Sequence, residues 1–85
     1  MNRLDFIILS VLRQNEAVNR LSSMTVKEIA SVENLGIKEN TIFKKIRSLE
    51  QFGYVGRGLK ESRADTFFIT EDGLESLKKE RGNES

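Results

Sequence analysis

Hydrophobic residues repeat at helical spacing near the start of the chain. They stand at Leu4, Ile7, Ile8, Val11 and Leu12, on one face of a helix of roughly ten residues. Asn2 precedes this face and can cap the helix, with Asp5 at its third position. The pattern therefore predicts a first helix that forms the back of a hydrophobic core.

A second helix is predicted to begin at Val26. Thr25 and Glu28 form a capping box, in which the threonine hydroxyl accepts from the Glu28 amide and the glutamate accepts from the Thr25 amide. Apolar residues in the following turn give this helix a buried side. The sequence Asn34-Leu35-Gly36 comes next, and its glycine can adopt the positive φ that ends a helix.

A third helix is predicted over residues 38–52, and it has two different sides. Its apolar stripe is formed by Ile42, Ile46 and Leu49. At about 100° per residue, the opposite side carries Asn40, Lys44, Arg47 and Gln51. Amides can pair with adenine, and cations can pair with guanine or phosphate, which is the chemistry of a helix in the major groove. The alternative is an ordinary solvated face, but the order of the flanking elements favours nucleic-acid contact.

A β-hairpin is predicted directly after this helix, over residues 54–69. Residues 60–65 are polar and turn-like, and residues 66–69 form a β-branched and aromatic return strand. The cations Arg57, Lys60 and Arg63 are expected on or near the hairpin tip. Two glycines, Gly56 and Gly58, are interpreted as positions of strand bending or close approach.

A short fourth helix is predicted after Thr70, which can cap it. Acidic residues follow at its positive end and basic residues stand at its negative end, where each charge opposes the helix dipole. The chain from Gly82 onwards is expected to be disordered. We therefore assign residues 1–82 to a single domain and residues 83–85 to a disordered tail.

Several short motifs in this order resemble a known family. They are Ile29-Ala30, Leu35-Gly36-Ile37, Asn40-Thr41-Ile42, Leu49-Glu50 and Phe52-Gly53-Tyr54-Val55. Together they look like the pattern of bacterial and archaeal winged-helix transcription regulators of the MarR and PadR kind. The chain departs from that pattern twice: Ala30 and Leu35 stand farther apart than in the compact motif, and Lys38 occupies the position of a capping serine.

The predicted fold class is α+β. It is a winged helix-turn-helix with a three-helix core, a two-stranded β-hairpin wing and a short C-terminal helix. The resemblance also implies that residues 23–24 add a short strand to the wing.

The composition narrows the possible functions. The 85 residues include no cysteine and no histidine, which excludes thiolate zinc sites, disulfides and catalytic groups that need imidazole. The carboxylates Asp65, Glu71 and Asp72 stand where a turn and a helix start would place them. We therefore predict that the protein is not an enzyme and uses no cofactor and no metal. So small a core leaves little room for a ligand, and no small-molecule ligand is expected.

The hydropathy of the chain shows no membrane signal. No apolar run approaches the roughly 18 residues needed to span a bilayer, and the start at Arg3 lacks the small-residue cleavage site of a signal peptide. A cytoplasmic location is expected.

The net charge is only +1, but it is unevenly distributed. Residues 38–63 carry seven cations and three carboxylates, a balance of +4. Residues 64–85 carry three cations and six carboxylates, a balance of −3. The excess of positive charge thus lies on the third helix and the hairpin, as expected for a surface that contacts phosphate.

These features favour a sequence-specific protein that binds double-stranded DNA, and a transcriptional repressor in particular. The third helix would enter the major groove, and the wing would contact the flanking minor groove. The predicted DNA-binding residues are Lys38, Asn40, Thr41, Lys44, Lys45, Arg47, Arg57, Lys60 and Arg63. The alternative is a winged helix used as a protein-interaction module in a transcription or assembly complex, which Phe43 at the flank of the third helix favours.

A homodimer is expected, through the first helix, the C-terminal helix or both. Phe6 and Leu9 lie off the centre of the apolar stripe of the first helix, so this helix is expected to be buried on two sides. The alternative is that Phe6 packs beneath the C-terminal helix of the same chain.

Overall fold

The computed structural model of the protein describes residues 2–32 and 36–82. In chain order its elements are α1 (Arg3–Gln14), a 3-10 turn (Arg20–Ser22), β1 (Met24–Thr25), α2 (Val26–Val32), α3 (Glu39–Gln51), β2 (Val55–Arg57), β3 (Thr66–Ile69) and α4 (Glu71–Gly82). The predicted α+β winged helix-turn-helix is confirmed. None of the described helices is long and apolar enough to cross a membrane.

The first two α-helices begin where their capping boxes predicted. The Asp5 amide donates to the side-chain oxygen of Asn2 over 2.9 Å, and the Asn2 amide donates to the Asp5 carboxylate over 3.3 Å. At α2 the Thr25 amide donates to Glu28 over 2.9 Å, and the Glu28 amide donates to the Thr25 hydroxyl over 3.1 Å. Each box satisfies amides that a helix start leaves without partners, so local sequence alone sets both boundaries.

Helix α3 ends in a Schellman motif. Gly53 has φ 82°, which a residue with a side chain adopts only at a cost. This conformation lets the Gly53 amide donate to the Glu50 carbonyl and the Tyr54 amide donate to the Leu49 carbonyl, both over 3.0 Å. The chain therefore turns sharply from α3 into the wing.

The core lies between the four helices and the sheet. Its fully buried side chains include Ile8, Leu12, Ile29, Ile42, Ile46, Phe67, Ile69 and Leu77. Phe67 is the largest of the fully buried residues, and it lies on the central strand. Burial of one such side chain contributes about 1.5–3 kcal/mol, so a core of this size can hold a small domain without a disulfide or metal.

The first helix is more completely covered by its own chain than the sequence indicated. Leu9 was expected to help bury α1 on two sides, with a second subunit as one candidate for the second side, and it is fully buried within the protomer. The reason is that α2, α3, α4 and β3 all contact α1. Phe6 is partly buried against the core, so the surplus apolar surface of α1 is smaller than predicted.

The wing belongs to a three-stranded sheet rather than to a two-stranded hairpin. The strand order is β1-β3-β2, with both pairs antiparallel. β1 pairs Met24 with Phe67 and Thr25 with Thr66, one residue later than the strand predicted at residues 23–24. This short strand occupies the second edge of β3, which the hairpin alone would leave unpaired.

Thr70 caps α4 and also ties it to the end of α3. The Gly73 amide donates to the Thr70 hydroxyl oxygen over 3.1 Å, as predicted, and the hydroxyl donates to the Gly53 carbonyl over 2.6 Å. α4 includes Gly82, where disorder was predicted to begin. The predicted tail over residues 83–85 lies outside the described residues, and the single domain over residues 1–82 stays a prediction.

Candidate nucleic-acid interface

The outward side of α3 is polar, and its inward side is fully apolar. Ile42 and Ile46 are completely buried, and Leu49 is 3% exposed. The exposed residues of the helix include Asn40, Thr41, Lys44, Arg47 and Gln51. Lys45 is partly buried at the flank. The two-sided helix is thus confirmed, and it presents amides and cations together over about three turns.

The start of α3 lacks a side-chain cap. Lys38 occupies the N-cap position in an extended conformation, φ −64° and ψ 142°, and makes no capping hydrogen bond. Its carbonyl accepts from the amides of Thr41 and Ile42 over 3.0 and 3.2 Å. The lysine side chain carries no hydrogen-bond acceptor, so Lys38 supplies no side-chain cap to the first turn of α3.

The wing tip is a tight turn that carries Arg63. The amides and carbonyls of Glu61 and Ala64 form two reciprocal hydrogen bonds of 3.0 Å. Ser62 takes a left-handed conformation with φ 57° and Arg63 follows it, exposed, in the two-residue loop. Lys60 is 68% exposed, and its ammonium lies 4.0 Å from Asp65. Arg63 and Lys60 therefore lie at the tip, as the sequence predicted.

Arg57 lies at the base of the wing, away from that tip. Its Nε is 2.9 Å from Glu50 on α3, and its Nη1 is 3.0 Å from Asp65. The hydrogen bond to Glu50 is the main cause that raises the pKa of the Arg57 guanidinium above its ordinary value. Arg57 thus differs from Arg63 at the tip, whereas it shares the Asp65 carboxylate with Lys60. In the sequence, the acidic residue Glu50 was the one sign that Arg57 could be paired within the protein. Its approach to Arg57 depends, however, on how the wing folds back onto α3.

An aromatic contact joins α3 to the sheet. The rings of Phe43 and Phe67 meet edge to face, with centroids 6.4 Å apart and planes at 65°. The guanidinium of Arg47 lies 5.8 Å above the Phe43 ring. Phe43 is partly buried in this contact. It therefore packs against the wing and stays partly exposed beside the outward side of α3.

A groove of about 710 Å³ runs between α2, α3 and the wing. Its lining includes the carboxylates of Glu28, Glu39, Glu61 and Asp65. Lys27 also lines the groove, and Asp65 is paired with Arg57 and Lys60, so the negative charge of the groove is smaller than its four carboxylates alone would give. Among residues 2–32 and 36–82, no group of three or more carboxylates is arranged to hold a metal ion.

Gly58 marks the place where the wing meets the 3-10 turn. A Cβ atom at this position would overlap the Ser23 side chain. The Leu59 amide donates to the Arg20 carbonyl over 3.4 Å at the same contact. The prediction of close backbone approach at Gly58 is confirmed, and the approach is to the protein itself.

The chain is similar in sequence to a DNA-binding protein. It is 30% identical over 78 residues to the DNA-binding protein TubR of Clostridium botulinum C phage, and the match covers 92% of this chain and 94% of that one. The chain belongs to the TubR family. No protein-family model matches it. Membership of the TubR family agrees with the prediction that the protein is not an enzyme.

Solved structures of TubR proteins share the fold of this family member. TubR from Bacillus megaterium pBM400 matches with a TM-score of 0.78 at 23% identity, over 92% of this chain and 83% of that one. The DNA-binding TubR fragment from Clostridium botulinum matches with a TM-score of 0.73 at 28% identity, over 93% and 95% of the two chains.

A more distant structure shows the same winged helix. BpsR of Bordetella bronchiseptica, whose DNA binding is regulated by 6-hydroxynicotinic acid, matches with a TM-score of 0.73 at 15% identity. The match covers 93% of this chain and 51% of BpsR. This likeness supports the winged-helix part of the sequence resemblance.

Proposed function

We propose that the protein binds double-stranded DNA as a sequence-specific winged-helix regulator. The observation that carries the proposal is the exposed amide and cationic side of α3, set over a completely buried apolar stripe. A helix of this kind can lie in the major groove while its other side stays in the core. The wing then reaches the flanking minor groove, where Arg63 at the tip contacts phosphate or the groove floor.

The residues of α3 divide by the contacts that they can make. Asn40 and Thr41 are placed in the first turn to reach base edges, and Asn40 can pair bidentately with adenine. Lys44 and Arg47 can reach guanine or phosphate one turn further on. Lys38 and Lys45 stand beside this line and are assigned to the phosphate backbone.

The regulatory mechanism that we propose is occupancy. A protein that covers a promoter excludes polymerase or another factor, as in winged-helix repressors of the MarR and PadR kind that the sequence motifs resemble. We propose a cytoplasmic location as well, because a regulator of this kind must reach the DNA that it controls. The name of the C. botulinum relative, DNA-binding protein TubR, supports the DNA partner.

We also propose that the protein acts as a homodimer. One recognition helix reads too few base pairs for high specificity, and two-fold symmetry matches the helix spacing to half-sites one or two turns apart. Phe6 on α1 and the exposed side of α4 are the surfaces available for pairing, because Leu9 is already buried.

Selection from a random-sequence duplex pool, followed by gel shifts, tests the proposal. The expected result is an enriched sequence with at least about a thousandfold preference over unrelated duplex at physiological salt. If the protein shifts no duplex although it unfolds in a normal thermal transition, the DNA-binding proposal is overturned. The protein-interaction alternative would then be favoured.

A further inference from the structure

One guanidinium connects the recognition helix to both strands of the wing. Arg57 is the last residue of β2, Glu50 lies in the last turn of α3, and Asp65 precedes β3. The Arg57 Nε and Nη2 atoms lie 2.9 and 3.5 Å from the two Glu50 oxygens, and Nη1 lies 3.0 Å from Asp65. All three guanidinium nitrogens are therefore used inside the protein.

The plane of this cation is also held by an aromatic ring. The Arg57 guanidinium carbon lies 5.5 Å from the centroid of Phe67, which is fully buried. Phe67 in turn meets Phe43 edge to face, and Arg47 lies over Phe43. A continuous line of contacts thus runs from the base of the wing to Arg47 on the outward side of α3.

The surroundings of Arg57 are unfavourable for a phosphate. The ion-pair network of Glu50, Arg57, Asp65 and Lys60 carries two cations and two carboxylates, so Arg57 is already neutralised within the protein. A phosphate would have to displace those carboxylates from a guanidinium whose side chain is only 39% exposed. Lys60, at 68% exposure, is the more accessible wing cation.

On the basis of the proposed DNA-binding function, we propose that Arg57 is a positioning residue that sets the angle between wing and recognition helix and does not itself contact DNA. Major-groove and minor-groove contacts can form together only if the spacing between α3 and the wing tip matches the duplex. A wing held in that position before binding avoids the cost of ordering it on DNA. The carboxylates Glu50 and Asp65 then act through Arg57, even though their charge opposes that of DNA.

Two substitutions at one position separate positioning from phosphate contact. Arg57→Lys keeps the charge but cannot span Glu50 and Asp65 with a planar fork, whereas Arg57→Gln removes the charge. Positioning predicts that both variants lose roughly five- to tenfold in affinity for the selected site, with an unchanged slope of log affinity against log salt. A phosphate contact predicts near wild-type binding by Arg57→Lys and a slope reduced by about one unit in Arg57→Gln; that pair of results overturns the proposal.

Glu50→Gln adds a second test, because positioning and phosphate contact predict different changes in DNA affinity for this variant. If Arg57 acts by positioning, the ratio of specific to non-specific affinity falls in this variant. If Arg57 contacts phosphate, freeing it from Glu50 raises affinity for the selected site and preserves the ratio. Arg63→Gln supplies the reference for a true loss of one phosphate contact in the same salt series.

A measurement without DNA distinguishes failure of this inference from failure of the proposed function. The chain has no cysteine, so spin labels attach solely to cysteines that are introduced. Ser48→Cys places one label on α3, and Ala64→Cys places the other on the wing. The expected result is one narrow distance distribution that broadens when Arg57→Lys is added. An unchanged width overturns the positioning role, whether or not the protein binds DNA. If the wild type binds no DNA but the distance distribution still broadens in Arg57→Lys, only the proposed function is overturned.

Discussion

Phe43 on the recognition helix meets Phe67 on the central strand edge to face, with ring centroids 6.4 Å apart. This contact joins the helix that carries the proposed reading surface to the central strand of the wing. Phe67 is fully buried, whereas Phe43 keeps part of its ring exposed. One core residue therefore supports both the fold and the geometry that the proposed function requires.

Replacement of Phe67 by alanine is expected to lower the free energy of unfolding by about 3–5 kcal/mol, because it removes a fully buried ring and leaves a cavity beneath the wing. In a domain this small, that loss is a large fraction of the total stability. Urea titration followed by circular dichroism measures it. Phe52→Ala is the control: Phe52 is 69% exposed, so a loss of about 1 kcal/mol or less is expected. Equal losses in the two variants would contradict the assigned core.

Lys38→Ser is expected to stabilise the protein by about 1 kcal/mol. The N-cap backbone is already extended, and serine can supply the acceptor that lysine lacks. The same change removes a cation from the proposed interface, so the affinity for DNA should fall while the melting temperature rises. A melting temperature below that of the wild type would show that the start of α3 cannot use a side-chain cap.

Asn40→Ala is expected to cost about 1–3 kcal/mol at the selected site and to relax base choice at one position. Lys44→Ala should have a similar effect one turn further along the helix. Binding to unrelated duplex should change less in both variants, because base contacts are lost rather than backbone contacts. Repeating the random-sequence selection with each variant checks this. Full retention of selectivity by both would place the reading surface elsewhere.

Arg63→Ala is expected to weaken binding to all sequences and to reduce the salt slope by about one unit. Arg63 makes no ion pair with any residue in the described part of the chain, and Asp65 pairs instead with Arg57 and Lys60. The melting temperature should therefore stay nearly unchanged. A lowered melting temperature with an unchanged slope would assign Arg63 to the hairpin and not to DNA.

The proposed homodimer should form on the selected site with two protomers per duplex. Sedimentation velocity with and without the duplex measures the mass of the complex. Phe6→Glu places a charge on the partly buried flank of α1 and should weaken the two-protomer complex if α1 carries the interface. A stable complex of one protomer on a single half-site would reject dimeric recognition.

The starts of α1, α2 and α4 and the end of α3 follow from short-range sequence alone. The capping boxes at Asn2 and Thr25, and the threonine at position 70, each satisfy amides within three residues, so no distant contact is needed to start those helices. The end of α3 depends equally on Gly53, which permits the left-handed turn. The two-sided character of α3 is also local, because it depends only on helical spacing.

Long-range packing decided the remaining features. Leu9 looked surplus on a helix considered alone, but it is fully buried in the folded chain, where four other elements contact α1. β1 has only two residues and becomes a strand only because β3 offers it an unpaired edge. Arg57 looked like one of three wing cations, yet the fold brings it beside carboxylates seven and eight residues away in the chain. A charge pattern gives the sign of a surface, whereas the partner of each charge depends on which elements the fold places side by side.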